Sequence, residues 1–222
     1  MTALADLRTA ELVGKFLTEA NHAEPTPQTV RRAFSVTANW AWLIASGRKT
    51  IENRSTATPY RERVAITSTV SLAVYTDKAL SNLECSDEIV DAINSGKSDP
   101  KNDRPLWVHG CIVGSVEIIG VAKYRHGADD PDKSRRYLFD EWLGAPLGDL
   151  PHDIYANGPY CWLLRGAKRY AKPIPVHGQL NIWGLSEAHQ QLVAAAELET
   201  LDDMGVAPTL PDGYDLKRFC YL

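Results

Sequence analysis

The four cysteines of the 222-residue chain form no C-x-x-C pair. Cys85, Cys111, Cys161 and Cys220 lie far apart, and a structural zinc site normally needs close pairs of ligands. Three of them sit in or beside apolar runs, which predicts buried free thiols. The chain also lacks a Walker phosphate loop and a G-x-G-x-x-G turn. Phosphate-loop hydrolysis and Rossmann dinucleotide binding therefore have no footing. No metal and no cofactor is expected. No apolar run approaches the ~20 residues that span a bilayer. The start, Met1-Thr-Ala-Leu-Ala-Asp, has neither a basic n-region nor an apolar h-region. No membrane contact is expected, and a reducing cytoplasm is the expected compartment. Excess positive charge is missing too: 24 Lys and Arg face 28 Asp and Glu, a net charge of −4. A surface that coats duplex DNA is usually basic, so any nucleic-acid contact must be local. Internal repeats and low-complexity segments are absent.

What remains is an ordinary globular composition, with 44% hydrophobic and 23% charged residues. Such a chain can bury a core without metal or disulfide staples. Residues 6–19 place Leu7, Leu12, Val13, Phe16 and Leu17 on one helical face. Thr26-Pro27 reads as a cap and first turn of a second helix, running to about Phe34. Residues 1–33 are too few to bury a core and read as an N-terminal helical extension. A helix over 39–45 follows, with Asn39 as N-cap and Trp40, Leu43 and Ile44 at helical spacing. Gly47 supplies the stop.

Strands are expected over 49–54, 64–69, 111–121, 160–165 and 179–185, and helices over 86–94, 136–143 and 187–198. Residues 96–105 and 128–136 read as charged loops. The last twenty residues read as an irregular tail. The glycines of the 111–121 strand suggest bulges or bends. Short strands at irregular spacing among helices point to an α+β chain, without the βαβ rhythm of a doubly wound sheet.

The informative stretch is Gly47-Arg-Lys-Thr-Ile-Glu-Asn-Arg54. Strand alternation puts Thr50, Glu52 and Arg54 on one face and Ile51 on the other. Lys49, at the helix-strand junction, offers a point charge to a phosphate or carbonyl oxygen. Arg54 offers a planar fork to a phosphate or base edge, and Glu52 accepts from a base or steadies both cations. The plain alternative is an exposed, mutually neutralised strand face.

This stretch resembles the G-x-K-x-x-E-x-R signature of the ASCH family. Further segments agree in the family's order. Trp40 with Leu43-Ile-Ala-Ser46 resembles its lead-in. Tyr60-Arg61 and Val64-Ala-Ile66 resemble the next strand. His109-Gly-Cys-Ile-Val-Gly-Ser-Val-Glu-Ile118 resembles the central one. Cys161-Trp-Leu-Leu164, Ile174-Pro-Val-His-Gly178 and Trp183 resemble the ending. The resemblance covers about 34–185 and implies a PUA-like small β-barrel (a pseudobarrel) flanked by helices. Residues 186–222 are then a C-terminal helix and tail packed on that barrel.

The family is implicated in RNA binding, coactivator function and, in some branches, enzymes acting on RNA or modified nucleosides; fold alone does not choose among these. The resemblance implies a nucleic-acid-binding protein whose partner is single-stranded RNA or DNA, or a modified nucleotide. Its candidate contacts are Lys49, Glu52, Arg54, Trp40, Tyr60 and Arg61, with the basic run Arg165, Lys168 and Arg169. That run, with Lys172 and His177, either tracks a phosphate backbone or forms a solvated loop.

An enzyme on the same residues is the alternative, with Lys49 and Glu52 as catalytic candidates and Tyr60 beside them. A ribonuclease needs a cation and an acid or base, the latter from Tyr60, His109 or His177. The amidohydrolase branch, similar to a hydrolase of acylated cytidine, uses Lys and then Thr three residues on. Here that position is Glu52. Thr50 is nearest, roughly 6–7 Å off along a strand. Asp140 or Glu141 matches the branch's glutamate by chain order only. His109 before a glycine turn reads as structural. Glu62 replaces the glycine usual after Tyr-Arg. Trp162 and Trp183 are expected inside, and a protein-interaction module is a second alternative. The sequence leaves the oligomeric state open.

Overall fold

The computed structural model describes residues 29–69, 107–125, 136–139, 155, 158–202, 208–209 and 211–212. Seven strands and two helices are described: β1 (Arg32–Val36), α1 (Ala38–Ala45), β2 (Ile51–Arg54), β3 (Arg63–Ser68), β4 (Cys111–Arg125), β5 (Arg136–Phe139), β6 (Tyr160–Pro175), β7 (Ile182–Gly184) and α2 (Glu187–Ala196). Hydrogen bonding runs in the order β2-β6-β4-β3-β1-β7, with β5 on β4. The described residues form two compact units, one from 51–61 and 118–166, the other from 29–50, 62–117 and 167–222.

In the first unit β2 pairs antiparallel with the start of β6, from Ile51↔Leu163 to Arg54↔Tyr160. The end of β4 pairs antiparallel with β5. Alternation along β2 sends Ile51 into a cluster with Ala122, Cys161 and Leu163. Asn53 lies on that same face by register and binds backbone: its amide donates to Tyr155 O at 2.7 Å and its oxygen accepts from Gly158 N at 2.9 Å.

In the second unit β1 runs parallel to β3 and antiparallel to β7. A parallel pair needs a crossover between its strands; here the connection contains α1, which packs on β1 and β3. β3 pairs antiparallel with β4, and the register shifts between Ile66 and Thr67. The core gathers Val30, Ala33, Ala65, Ile112, Tyr170, Ile174, Trp183, Leu185 and Val193. Val193 is the buried residue of α2, and Ser186 caps that helix by accepting from His189 N.

Several local expectations need correction. The helix expected to reach Phe34 is strand by Arg32. Ala33 and Phe34 are fully buried between β3 and β7, and two-sided pairing of a short buried run overrides helix propensity. The N-cap of α1 is Thr37 rather than Asn39, and it makes no side-chain cap bond. Thr37 Oγ1 instead donates to Asn39 Oδ1 at 2.7 Å. The helix expected over 136–143 begins as β5, because Arg136-Tyr-Leu-Phe139 pairs with β4; residues 140–143 lie outside the described set. The strand expected to end at Arg165 runs to Pro175, so the basic stretch 165–172 is strand and not loop. The strand expected over 179–185 shortens to Ile182–Gly184. The helices expected over 6–19 and 86–94 and the loop over 96–105 lie outside the described residues. So does nearly all of the charged loop expected before Arg136.

Cys111 and Cys161 are buried free thiols, as the apolar runs around them predict. Burial pushes the Cys111 thiol up to about 12. Cys85 and Cys220 lie outside the described residues. Among the described residues no helix is long and apolar enough to cross a membrane.

Candidate functional site

The helix stop is built as the sequence requires. Gly47 takes φ +75°, and its N–H donates to Ile44 O at 3.0 Å. That left-handed turn closes helices cheaply only at glycine. The chain then doubles back, so Lys49 N caps Leu43 O at 3.0 Å. Lys49 is only 3% exposed. Its Nζ stands 5.5 Å from the Trp40 ring centroid, a cation-π distance. Next to it Arg48 is exposed and stacks over Trp42 at 5.0 Å. The turn thus sets two cations over two tryptophans of α1.

Glu52 and Arg54 belong to the other unit. Glu52 is buried, at 7% exposure. Its carboxylate meets Arg54 Nε at 3.2 Å. The guanidinium of Arg54 lies 5.1 Å from the Trp162 ring centroid. Register explains the stack: Glu52 sits opposite Trp162 and Arg54 opposite Tyr160, so Arg54 reaches Trp162 across the diagonal. Trp162 Nε1 donates to Thr56 O at 3.1 Å, which fixes the ring. Trp162 is inside, as expected, yet its face carries the motif arginine. A single strand's residues gave no hint of that pairing. Lys123, 5.9 Å from the Tyr160 ring, extends the same pattern.

The remaining candidates are placed as follows. Thr50 is exposed, just before β2. Tyr60 is half-buried. Arg61 Nη1 donates to the carbonyls of Thr58 and Tyr60 at 2.7 and 2.9 Å, a loop-bracing role. Glu62, standing where the family pattern has glycine, pairs with Arg32 at 2.5 Å. His109 Nδ1 lies 3.3 Å from Thr69 O, and burial lowers its pKa against the raising effect of that contact. Burial thus favours the neutral ring, which fits a structural role. His177 is exposed. Trp183 is buried with Nε1 3.3 Å from Ser35 Oγ. Arg165 is half-buried, and Arg169 is buried in the strand. Lys168 and Lys172 pair with Glu197 and Glu199 at 2.7 and 2.9 Å. Asp140 and Glu141 lie outside the described residues.

A polar cluster that the sequence did not disclose surrounds Glu197, the C-cap residue of α2. Its carboxylate accepts from Ser115 Oγ, from Tyr170 OH at 2.6 Å and from Lys168 Nζ at 2.7 Å. Arg63 Nη1 donates to Ser115 Oγ at 2.9 Å. A carboxylate at a helix C-terminus opposes the helix dipole, so these donors hold it in place. Burial by itself would raise the Glu197 carboxyl; the hydrogen bonds from Lys168, Ser115 and Tyr170, with the Lys168 charge, outweigh it and hold the group below its usual value. Tyr170 is pushed far up, first by burial and then by the Glu197 charge.

A depressed folded value adds stability that is present above the unfolded carboxylate range and is lost as pH falls through the folded value. Glu197→Gln should therefore cost about 2 kcal/mol at neutral pH, the worth of hydrogen bonds to a charged group. The gap from the parent should shrink at acid pH, below the ordinary carboxylate range, where the parent carboxylate protonates. Denaturant unfolding at both pH values checks this; an equal gap at each would contradict it.

With this geometry established, comparisons place the chain among known proteins. A family model described as "ASCH domain" matches residues 34–171, more than half of the chain. A comparison with curated proteins gives no match. Among solved structures, an ASCH protein from Zymomonas mobilis is 14% identical, with 77% of this chain and 95% of that chain covered at a TM-score of 0.38. An overlap that loose says nothing about chemistry.

Proposed function

The chain belongs to the ASCH domain family, and from that premise we propose that its 47–54 segment binds single-stranded RNA or DNA, or a modified nucleotide. The observation that carries this reading is burial: Lys49 and Glu52 are 3% and 7% exposed. An ordinary K-x-x-E-x-R strand face would be solvated, with its charges worth little. Burying a lysine and a glutamate costs several kcal/mol per ion before pairing repays it. A position kept only for packing would be cheaper as an apolar residue. In this reading Lys49 meets an anionic oxygen and Arg54 presents its fork, while Glu52 orients Arg54 and Trp162 backs it. Trp40 and Tyr60 are the candidate stacking rings. The PUA-like barrel, the division at 33/34 and 185/186, and a cytoplasmic location belong to the same reading.

The test is titration of the whole chain into labelled single-stranded RNA and DNA at rising salt, with the mixtures then read by mass spectrometry. Binding at low salt should weaken as salt rises, with a logarithmic slope of about −0.7 per phosphate contacted. The oligonucleotides should return intact. Absence of binding at low salt contradicts the proposal. Lys49-dependent cleavage, or deacylation of acylcytidines, would move the reading to an enzyme on the same residues.

A further inference from the structure

Two lysines of the basic stretch of β6, Lys168 and Lys172, already pair with carboxylates of this chain. Just past α2, the chain returns along that stretch. Tyr170 and Thr200 form an antiparallel bridge. Around that bridge Ala171 N donates to Glu199 O at 2.9 Å, and Leu201 N donates to Arg169 O at 2.8 Å. Residues 199–201 are thus added to β6 as a short antiparallel stretch, directly after the α2 C-cap Glu197, and 197–201 together form a strap. The register sets two carboxylates of the strap beside two lysines of the strand. Glu197 takes Lys168 at 2.7 Å and Glu199 takes Lys172 at 2.9 Å.

We propose that residues 197–201 are an autoinhibitory strap, whose Glu197 and Glu199 carboxylates occupy Lys168 and Lys172 where nucleic-acid phosphates would otherwise pair. Both partners in each pair are charged oxygens or ammoniums, and phosphate presents the same acceptor chemistry as carboxylate. The two pairs differ in strength. Lys172 and Glu199 are 68% and 59% exposed, so water and salt weaken their pair and a phosphate competes with it readily. Lys168 and Glu197 are 36% and 15% exposed, and Ser115 and Tyr170 also anchor that carboxylate. The strap is therefore fixed at its Glu197 end and easily displaced at its Glu199 end. This inference rests on the proposed function, since it names a control on how tightly the same partner is held.

The experiment titrates labelled single-stranded RNA with the full chain as parent, as Glu199→Gln and as Glu197→Gln/Glu199→Gln. A further variant adds Lys168→Ala and Lys172→Ala to the double substitution. Glu187→Gln, an exposed acid in the first turn of α2, controls for the simple loss of a negative charge. Glu199→Gln should bind about threefold tighter and the double variant about tenfold tighter, with a steeper salt dependence from one or two added phosphate contacts. Glu187→Gln should match the parent, and the added lysine substitutions should abolish the gain. Glu199→Gln leaves the buried Glu197 cluster intact, so it decides the matter even if the double variant folds poorly. Equal affinity of folded Glu199→Gln and parent overturns the strap while leaving the proposed function standing. So does an equal gain from Glu187→Gln. If neither parent nor variants bind, the proposed function fails and the strap with it.

Discussion

Gly114→Ala should lower the stability of the chain by about 3 kcal/mol or more, the upper range for forcing an atom into a filled core. A Cβ on Gly114 would stand 2.2 Å from the Lys168 carbonyl oxygen and 3.0 Å from the Ala45 Cβ. The first of these is backbone, so no side chain can swing aside. Either β6 must move off β4, or the chain at Lys168 must distort. The shift in register beside Ile66 and Thr67 already leaves β3 pairing with Gly114 and then Ile112, which makes Val113 the extra residue. Glycine is thus required here by close approach of a neighbouring strand. Gly184→Ala is the matched control, because nothing lies within 4 Å of its added Cβ. Thermal unfolding should show a fall of about 10 °C for Gly114→Ala, scaling the free energy for a chain of this size, and little change for Gly184→Ala. A melting point for Gly114→Ala within a degree or two of the parent would contradict the packing of β4 on β6.

Much of this was legible in the sequence at the level of local chemistry. Gly47 was readable as a helix stop because only its backbone freedom suits the turn. The 111–121 strand was readable from its Val and Ile content. The motif order identified the family. The failures share a physical cause: they lie where pairing between distant segments decides conformation. Arg32-Ala-Phe-Ser-Val36 is strand because β3 and β7 flank it, and neither partner is near in sequence. The strand expected over 160–165 stops one residue short of Gly166. Gly166 takes φ +57°, and the strand runs on through it. The site divides in the same way. Lys49 and Glu52 were readable from the motif, but their burial was not. Trp162 as the platform for Arg54 depends on a β2–β6 register spanning more than a hundred residues. Glu197, 82 residues from Ser115, carries no sequence mark at all.

The second large effect concerns Lys49. Its removal takes away a charge from which nearly all solvent is excluded, and in such surroundings a contact to phosphate is worth more than at an exposed lysine. Lys49→Ala should weaken binding of single-stranded RNA by at least tenfold, about 1.4 kcal/mol, and should make the salt dependence shallower by roughly one phosphate contact. Arg54→Ala should weaken it similarly. Arg54→Lys should recover only part of the loss, because an ammonium keeps the charge but lacks the planar fork that lies over Trp162. Arg48→Ala, at the exposed x position of G-x-K, should cost much less.

The most direct measurement is a parallel titration of one labelled single-stranded RNA with the parent, Lys49→Ala and Arg54→Ala, each first shown to be folded by its melting curve. The account predicts saturable binding by the parent and a tenfold or greater deficit in both variants. Folded variants that bind the RNA as tightly as the parent at low salt would mean that the buried charges of 47–54 serve the fold alone.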